Sequence, residues 1–309
     1  MGGWRSARVA ARGVLGRPGL WPVALAGFLA RGGIVLLVVP TVIPPSLVGL
    51  ATFIGPASIT PTGPTAGLII RIVIAAVLFS TLVVAGTIVG AVAEVSLIRA
   101  GRHGAEPPGP VILRRIVLIR FVGLVPVALA LAVGLERLGE IVYLELTLPT
   151  DLVTPFGLRV AARAPDAVGL ILAAWLFGET WAGLATRLAV ARGTGVARSL
   201  AVGLRLLGRR VVSIAPLLFV SLAVAAIVLG AVLALIGWSW DFVRDALLGG
   251  SGPAGILAMI GSTLLFVACW LAGLTATGAV AAWRAVAWTL VLGEDHRGSG
   301  GVAVERATL

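Results

Sequence analysis

A lone carboxylate stands inside one of the most apolar parts of the chain. Glu179 lies in Leu176–Arg187, Leu-Phe-Gly-Glu-Thr-Trp-Ala-Gly-Leu-Ala-Thr-Arg. Arg187 follows eight residues later, roughly 12 Å further along a helix at about 1.5 Å per residue. An ionised carboxylate at that depth in a membrane costs several kcal/mol, so it must face a partner, a bundle interior or a water-filled cavity. Two chemistries fit. Glu179 is a proton or substrate site, or it is a structural charge neutralised by Arg31 or bonded to a hydroxyl such as Thr180. Arg31 is the matching cation of the first apolar run. Arg71 and Glu94 lie nearer the ends of the second run, where long side chains reach water by snorkelling.

The frame around Glu179 repeats. Thr180-x-x-Gly183, with the small residue Gly178 two before the Thr, recurs as Ala85-x-Thr87-x-x-Gly90 and Gly273-x-Thr275-x-x-Gly278. The Thr spacings are 93 and 95. Arg31, Arg120 and Arg210 are spaced 89 and 90, and Pro126 and Pro216 each follow their Arg by six. The carboxylate is not repeated: the positions equivalent to Glu179 are Gly86 and Leu274. In lipid no hydrophobic force joins helices, so small residues that allow close approach, and Thr hydrogen bonds, do that work. Gly90, Gly183, Gly278, Thr87 and Thr275 therefore read as helix-packing residues. The alternative has Thr87, Thr180 and Thr275 lining a central cavity.

These residues need membrane helices to hold them. Of the 309 residues, 59% are hydrophobic and 12% charged, and the mean hydropathy is +1.08. Soluble domains carry about 25% charged residues. Six apolar runs are long enough to cross a hydrocarbon core of about 30 Å, at about 20–44, 68–95, 116–135, 168–187, 212–238 and 256–281. The expected fold is an all-α membrane protein of six spans in three pseudo-repeated hairpins. Residues 1–19 form a basic cytoplasmic segment, either a surface helix or a basic tail. Residues 20–292 form the membrane domain, and 293–309 a flexible cytoplasmic tail.

Two segments read two ways. Arg31 lies mid-helix in a single span Leu20–Pro44, or marks the inner boundary of a span running past Pro40; the first parse keeps Pro40, Pro44 and Pro45 out of mid-helix. Ser46–Ile54 is apolar but too short to span, and reads as an outer interfacial or re-entrant piece. In the outer segment 139–166, Tyr143, Glu145 and Thr147 alternate with leucines at the period of a short strand, while a helix continuing out of the third span is the rival. Pro155–Arg163 reads as a short amphipathic helix.

Every basic residue is Arg, and the net charge is +11. Seventeen arginines fall in segments placed inside and four in segments placed outside. This asymmetry puts both termini in the cytoplasm, in the cytoplasmic membrane of a bacterium. The arginines separate apolar runs and do not gather on one polar domain, which argues against nucleic acid. The expected partners are the bilayer and the anionic lipids of its inner leaflet. In Arg192–Arg210, Arg198, Arg205 and Arg209 share one helix face, with Val196, Leu200, Leu204, Leu207 and Val211 opposite. That is a basic amphipathic helix on the inner leaflet, or a docking helix for a cytoplasmic protein.

Catalytic signatures are sparse. The chain contains no Gly-x-x-x-x-Gly-Lys-Ser/Thr, no His-Glu-x-x-His and no Gly-x-Ser-x-Gly. Cys269 is the single cysteine, and His103 and His296 are isolated, so no metal or other cofactor is expected. The run Gly195–Arg210, leading straight into a span, resembles the cytoplasmic entry helix of uncharacterised bacterial six-span membrane proteins. The membrane domain that accompanies some glycerophosphodiester phosphodiesterases is one of these. The resemblance covers that stretch and the layout, and implies no activity. The expected function is a non-enzymatic membrane scaffold or permease-like component. A secondary transporter or channel using Glu179 is the alternative, and a membrane-embedded enzyme the third reading.

Overall fold

The computed structural model describes residues 2–38, 41, 59–60, 63–100, 110–148, 156–249 and 252–305. The short apolar piece Ser46–Ile54, and His103 with the centre of its polar connection, lie outside the described residues. Apart from a two-residue antiparallel pairing of Ile59–Thr60 with Gly63–Pro64, the described chain is helical. Its helices are α1 (Gly2–Leu15), α2 (Leu20–Phe28), α3 (Ile34–Val38), α4 (Ala66–Ala100), α5 (Pro110–Thr147), α6 (Phe156–Arg163), α7 (Pro165–Arg192), α8 (Val196–Leu248) and α9 (Pro253–Glu305). Six segments among the described residues are long and apolar enough to cross a membrane: Leu20–Val38, Ala66–Ala100, Pro110–Glu145, Pro165–Arg192, Ala215–Leu248 and Pro253–Leu290. Exposed Ile72, Leu78, Phe79 and Leu82 on α4 and Leu257 and Leu264 on α9 give these helices the apolar outer faces that lipid requires.

The chain divides into two compact units, residues 1–43, 79–113 and 210–309, and residues 44–78 and 114–209. In the first, the helical path of α2 breaks at Gly32, just beyond its end at Phe28, where a φ of +97° lies in the left-handed region that glycine enters without steric cost. The backbone turns through Leu29–Gly33 and resumes as α3. The candidate span Leu20–Val38 is therefore kinked at Arg31 and Gly32; the rest of the expected span, to Pro44, lies mostly outside the described residues. The basic helix α1 forms and packs on α9: Ala7, Ala10 and Val14 are buried, and Trp283 Nε1 donates to Ala7 O at 3.0 Å. Leu37, Val232 and Ile236 make a core with Phe28, Phe266, Trp270 and Leu274 around them.

In the second unit α5 and α7 approach closely. A Cβ at Gly123 would lie 2.6 Å from Ala182 Cβ, and one at Gly178 would strike the Gly123 carbonyl. Ile119, Ala182, Ala185 and Ala189 form the core, with Val196 and Leu200 from the start of α8 packed on it.

Residues 143–147 are helical, the end of α5, so of the strand and the helix continuing out of the third span the helix is the one formed, with Glu145 turned to ion pairs. Glu145 is fully buried and is held by Arg159 Nε at 3.1 Å and Arg163 Nε at 3.0 Å, both from α6. The C-terminal helix runs on to Glu305. Glycine there weakens a helix without forbidding it.

Candidate functional site

Among the described residues, an arginine–glutamate pair lies inside candidate spans of each unit, and each pair lies beside a glycine. In the first unit the turn at Gly32 brings Arg31 across the face of α4 at Gly90. With no side chain at Gly90, the arginine stem fits against the helix backbone: a Cβ there would sit 2.6 Å from Arg31 Nε. Arg31 Nη2 donates to Gly90 O at 3.0 Å and to Glu94 Oε2 at 2.8 Å. Gly90 and Glu94 are one turn apart on the same face, so one guanidinium reaches both. The Glu94 side chain is 6% exposed and that of Arg31 32%. The pair expected between Arg31 and Glu179 is thus replaced: Arg31 binds Glu94, whose position near the helix end had marked it as a snorkelling residue.

Glu179 is paired in the second unit. Arg120 Nη1 on α5 donates to its Oε2 at 2.9 Å, with side-chain exposures of 8% for Arg120 and 30% for Glu179. A Cβ at Gly183 would lie 3.9 Å from Arg120 Nη2 and 3.3 Å from Arg187 Nη1. Arg187 Nη1 itself donates to Gly183 O at 2.9 Å. The two arrangements differ in one respect. Glu94 stands four residues after its glycine and Glu179 four residues before, and the position four after Gly183 is Arg187. The glycine carbonyl bonded by Arg31 in the first unit is bonded by Arg187 in the second.

The remaining residues divide. Gly278 lies against the α2 backbone, where a Cβ would be 2.7 Å from Trp21 O. Thr87 Oγ1 donates to Val83 O at 2.7 Å and Thr275 Oγ1 to Leu271 O at 2.8 Å. Both threonines bond their own helices one turn back, so the expected Thr bridges between helices are not what these two make. Thr180 is half-buried. Arg198, Arg205 and Arg209 are exposed, as an amphipathic helix requires, but its opposite face is partly taken up by protein. Trp181 Nε1 donates to Leu200 O at 2.9 Å, and a Cβ at Gly203 would lie 3.3 Å from the Ala185 backbone. Cys269 is half-buried. No cluster of three or more His, Cys, Asp or Glu side chains suited to a metal occurs among the described residues.

Sequence reasoning passed over Arg120, Arg187 and the Glu145 clamp. Arg120 is one of the evenly spaced arginines, and its equivalence to Arg31 was the signal available in the sequence. No protein-family model matches the chain, and no curated protein or solved structure matches it.

Proposed function

We propose that the chain is a multi-pass protein of a bacterial cytoplasmic membrane, built from three related hairpins with both termini in the cytoplasm. In this reading it serves as a non-enzymatic scaffold or permease-like component. The observation that carries the reading is the pairing of the intramembrane charges. Arg31 with Glu94 and Arg120 with Glu179 are neutral units, each joining two helices of one hairpin at a glycine. Such pairs hold helices in register and lower the cost of charge in lipid. The parallel roles of Gly90 and Gly183 support the repeat, and the seventeen-to-four arginine asymmetry supports the orientation.

A transporter is the second reading, favoured by the exposure of Glu179, which at 30% is well above the 6% of Glu94. The two readings separate in sealed vesicles. Reconstituted protein, with a pH-sensitive dye inside and a proton gradient imposed, should leak protons no faster than empty vesicles, and Glu179→Gln should behave as the parent does. A proton flux that depends on the protein and vanishes in Glu179→Gln would replace the scaffold with a Glu179-dependent transporter.

A further inference from the structure

We propose that α1 is a strap that closes the first unit, docking on α9 once that helix is in place and locking it to α2 and the end of α4. α1 has little reason to be a helix by itself. It is 14 residues long and contains Gly2, Gly3 and Gly13. Isolated helices of that length are marginal in water, and glycine weakens them further. Its helical form therefore depends on the surface it packs against. Both α1 and α2 pack on α9. Ala7, Ala10 and Val14 are buried and, at spacings of three and four, share one helix face. On α9, Ala282 and Ala287 are fully buried, so small residues occur on both helices and permit a close approach. Val9, on the other side of α1, is 53% exposed.

Polar contacts hold the strap along its length. The bond from Trp283 Nε1 to Ala7 O joins residues 276 apart in the chain. Trp21 Nε1, on α2, donates to Val14 O at 3.1 Å, one of the last-turn carbonyls that a helix leaves without an internal partner. Arg17, in the turn between α1 and α2, donates from Nη1 to Ala100 O at 3.1 Å. Ala100 ends α4, where a cation is favoured by the negative end of the helix. One short segment thus ties together α9, α2 and the end of α4. The second unit repeats the device, with Trp181 of α7 bonded to Leu200 O of α8 as Trp283 is to Ala7 O. Synthesis runs from the N-terminus, so α1 exists before its dock does, and closure waits for α9.

The test uses the full chain in mild detergent and reads limited trypsin digestion together with thermal unfolding. Trypsin cuts beside arginine, and a docked helix is cut only as it opens. Arg8 and Arg12 are exposed on α1, so cleavage there, followed by mass, reports undocking. Ala10→Glu places a charge on the docked face. It should speed that cleavage about tenfold or more and lower the melting temperature. Val9→Glu introduces the same charge one residue away on the exposed face, and should match the parent in both readouts. Trp283→Phe keeps an aromatic ring and removes the donor, and should speed cleavage about fivefold. Should Ala10→Glu not fold, Trp283→Phe carries the test. Equal cleavage of Ala10→Glu and Val9→Glu, or cleavage of Trp283→Phe at the parent rate, would overturn the docking. Fast cleavage with an unchanged melting temperature would make α1 an appendage and overturn the strap. Neither readout depends on which side of the membrane α1 occupies, so failure of the strap and failure of the orientation give different results.

Discussion

Arg120 is the residue at which stability and function separate most cleanly. Its side chain is 8% exposed and its carboxylate partner is 30% exposed. Removing the acid alone strands the more buried charge, and removing one member of a buried pair costs about 3–5 kcal/mol. Partial exposure of Glu179 places the expected loss at the low end, about 3 kcal/mol. Glu179→Leu should therefore lower resistance to unfolding by added denaturing detergent by that amount. Arg120→Met/Glu179→Leu should recover most of the loss, because an apolar pair of similar size needs no solvation. A double variant no better than Glu179→Leu would mean the pair is not the interaction that matters. The same logic gives a charge exchange in the first unit. Arg31→Glu/Glu94→Arg should fold better than either single change, as judged by yield of monodisperse protein, and an additive loss would show the contact is not formed. The depth of Glu179 was legible in the sequence from the apolar residues around it. Its partner was not, because hydropathy gives depth and says nothing about which helix faces which. The even spacing singles out Arg120 as equivalent to Arg31, and the close approach at Gly123 and Gly178 brings it to Glu179.

Glycines decide how the helices meet, and they fall into groups that the sequence alone cannot sort. Gly86 abuts the Ala30 carbonyl and Gly178 the Gly123 carbonyl, and a Cβ at either would collide with backbone. Backbone cannot move aside as a side chain can, so Gly86→Ala and Gly178→Ala should each cost about 1–3 kcal/mol by overpacking. Gly230, within α8, has nothing within 4 Å of where a Cβ would go. Gly230→Ala should be neutral, or stabilising by up to about 1 kcal/mol through helix propensity. Thermal unfolding in one detergent ranks all three, and equal melting temperatures would remove the packing argument. Gly32 belongs to a different group. It has open space around it, and its positive φ, not crowding, forbids a side chain. Of the glycines in the Thr-x-x-Gly frame, a Cβ at Gly90 would meet Arg31 and one at Gly278 the Trp21 carbonyl, while one at Gly183 would meet first the Arg187 side chain of its own helix. A helical hydroxyl can bond its own preceding turn, as Thr87 and Thr275 do.

For the molecule as a whole, the six candidate spans were readable because a run of about 20 apolar residues has few other uses. Helix ends were less readable: α4 begins at Ala66 and reaches Ala100, beyond the apolar run, because helical hydrogen bonding continues wherever backbone geometry allows. Orientation rests on arginine counts and is open to a direct test. In a Cys269→Ser background, a cysteine at Glu140, exposed near the C-terminal end of α5, should, on the proposed orientation, react with a membrane-impermeant maleimide in intact cells. A cysteine at Arg205, exposed on α8, should react only after the cells are opened. The expectation follows from the cost of moving charge across a bilayer and from retention of short arginine-rich loops on the cytoplasmic side. Labelling at Arg205 and protection at Glu140 would invert the topology.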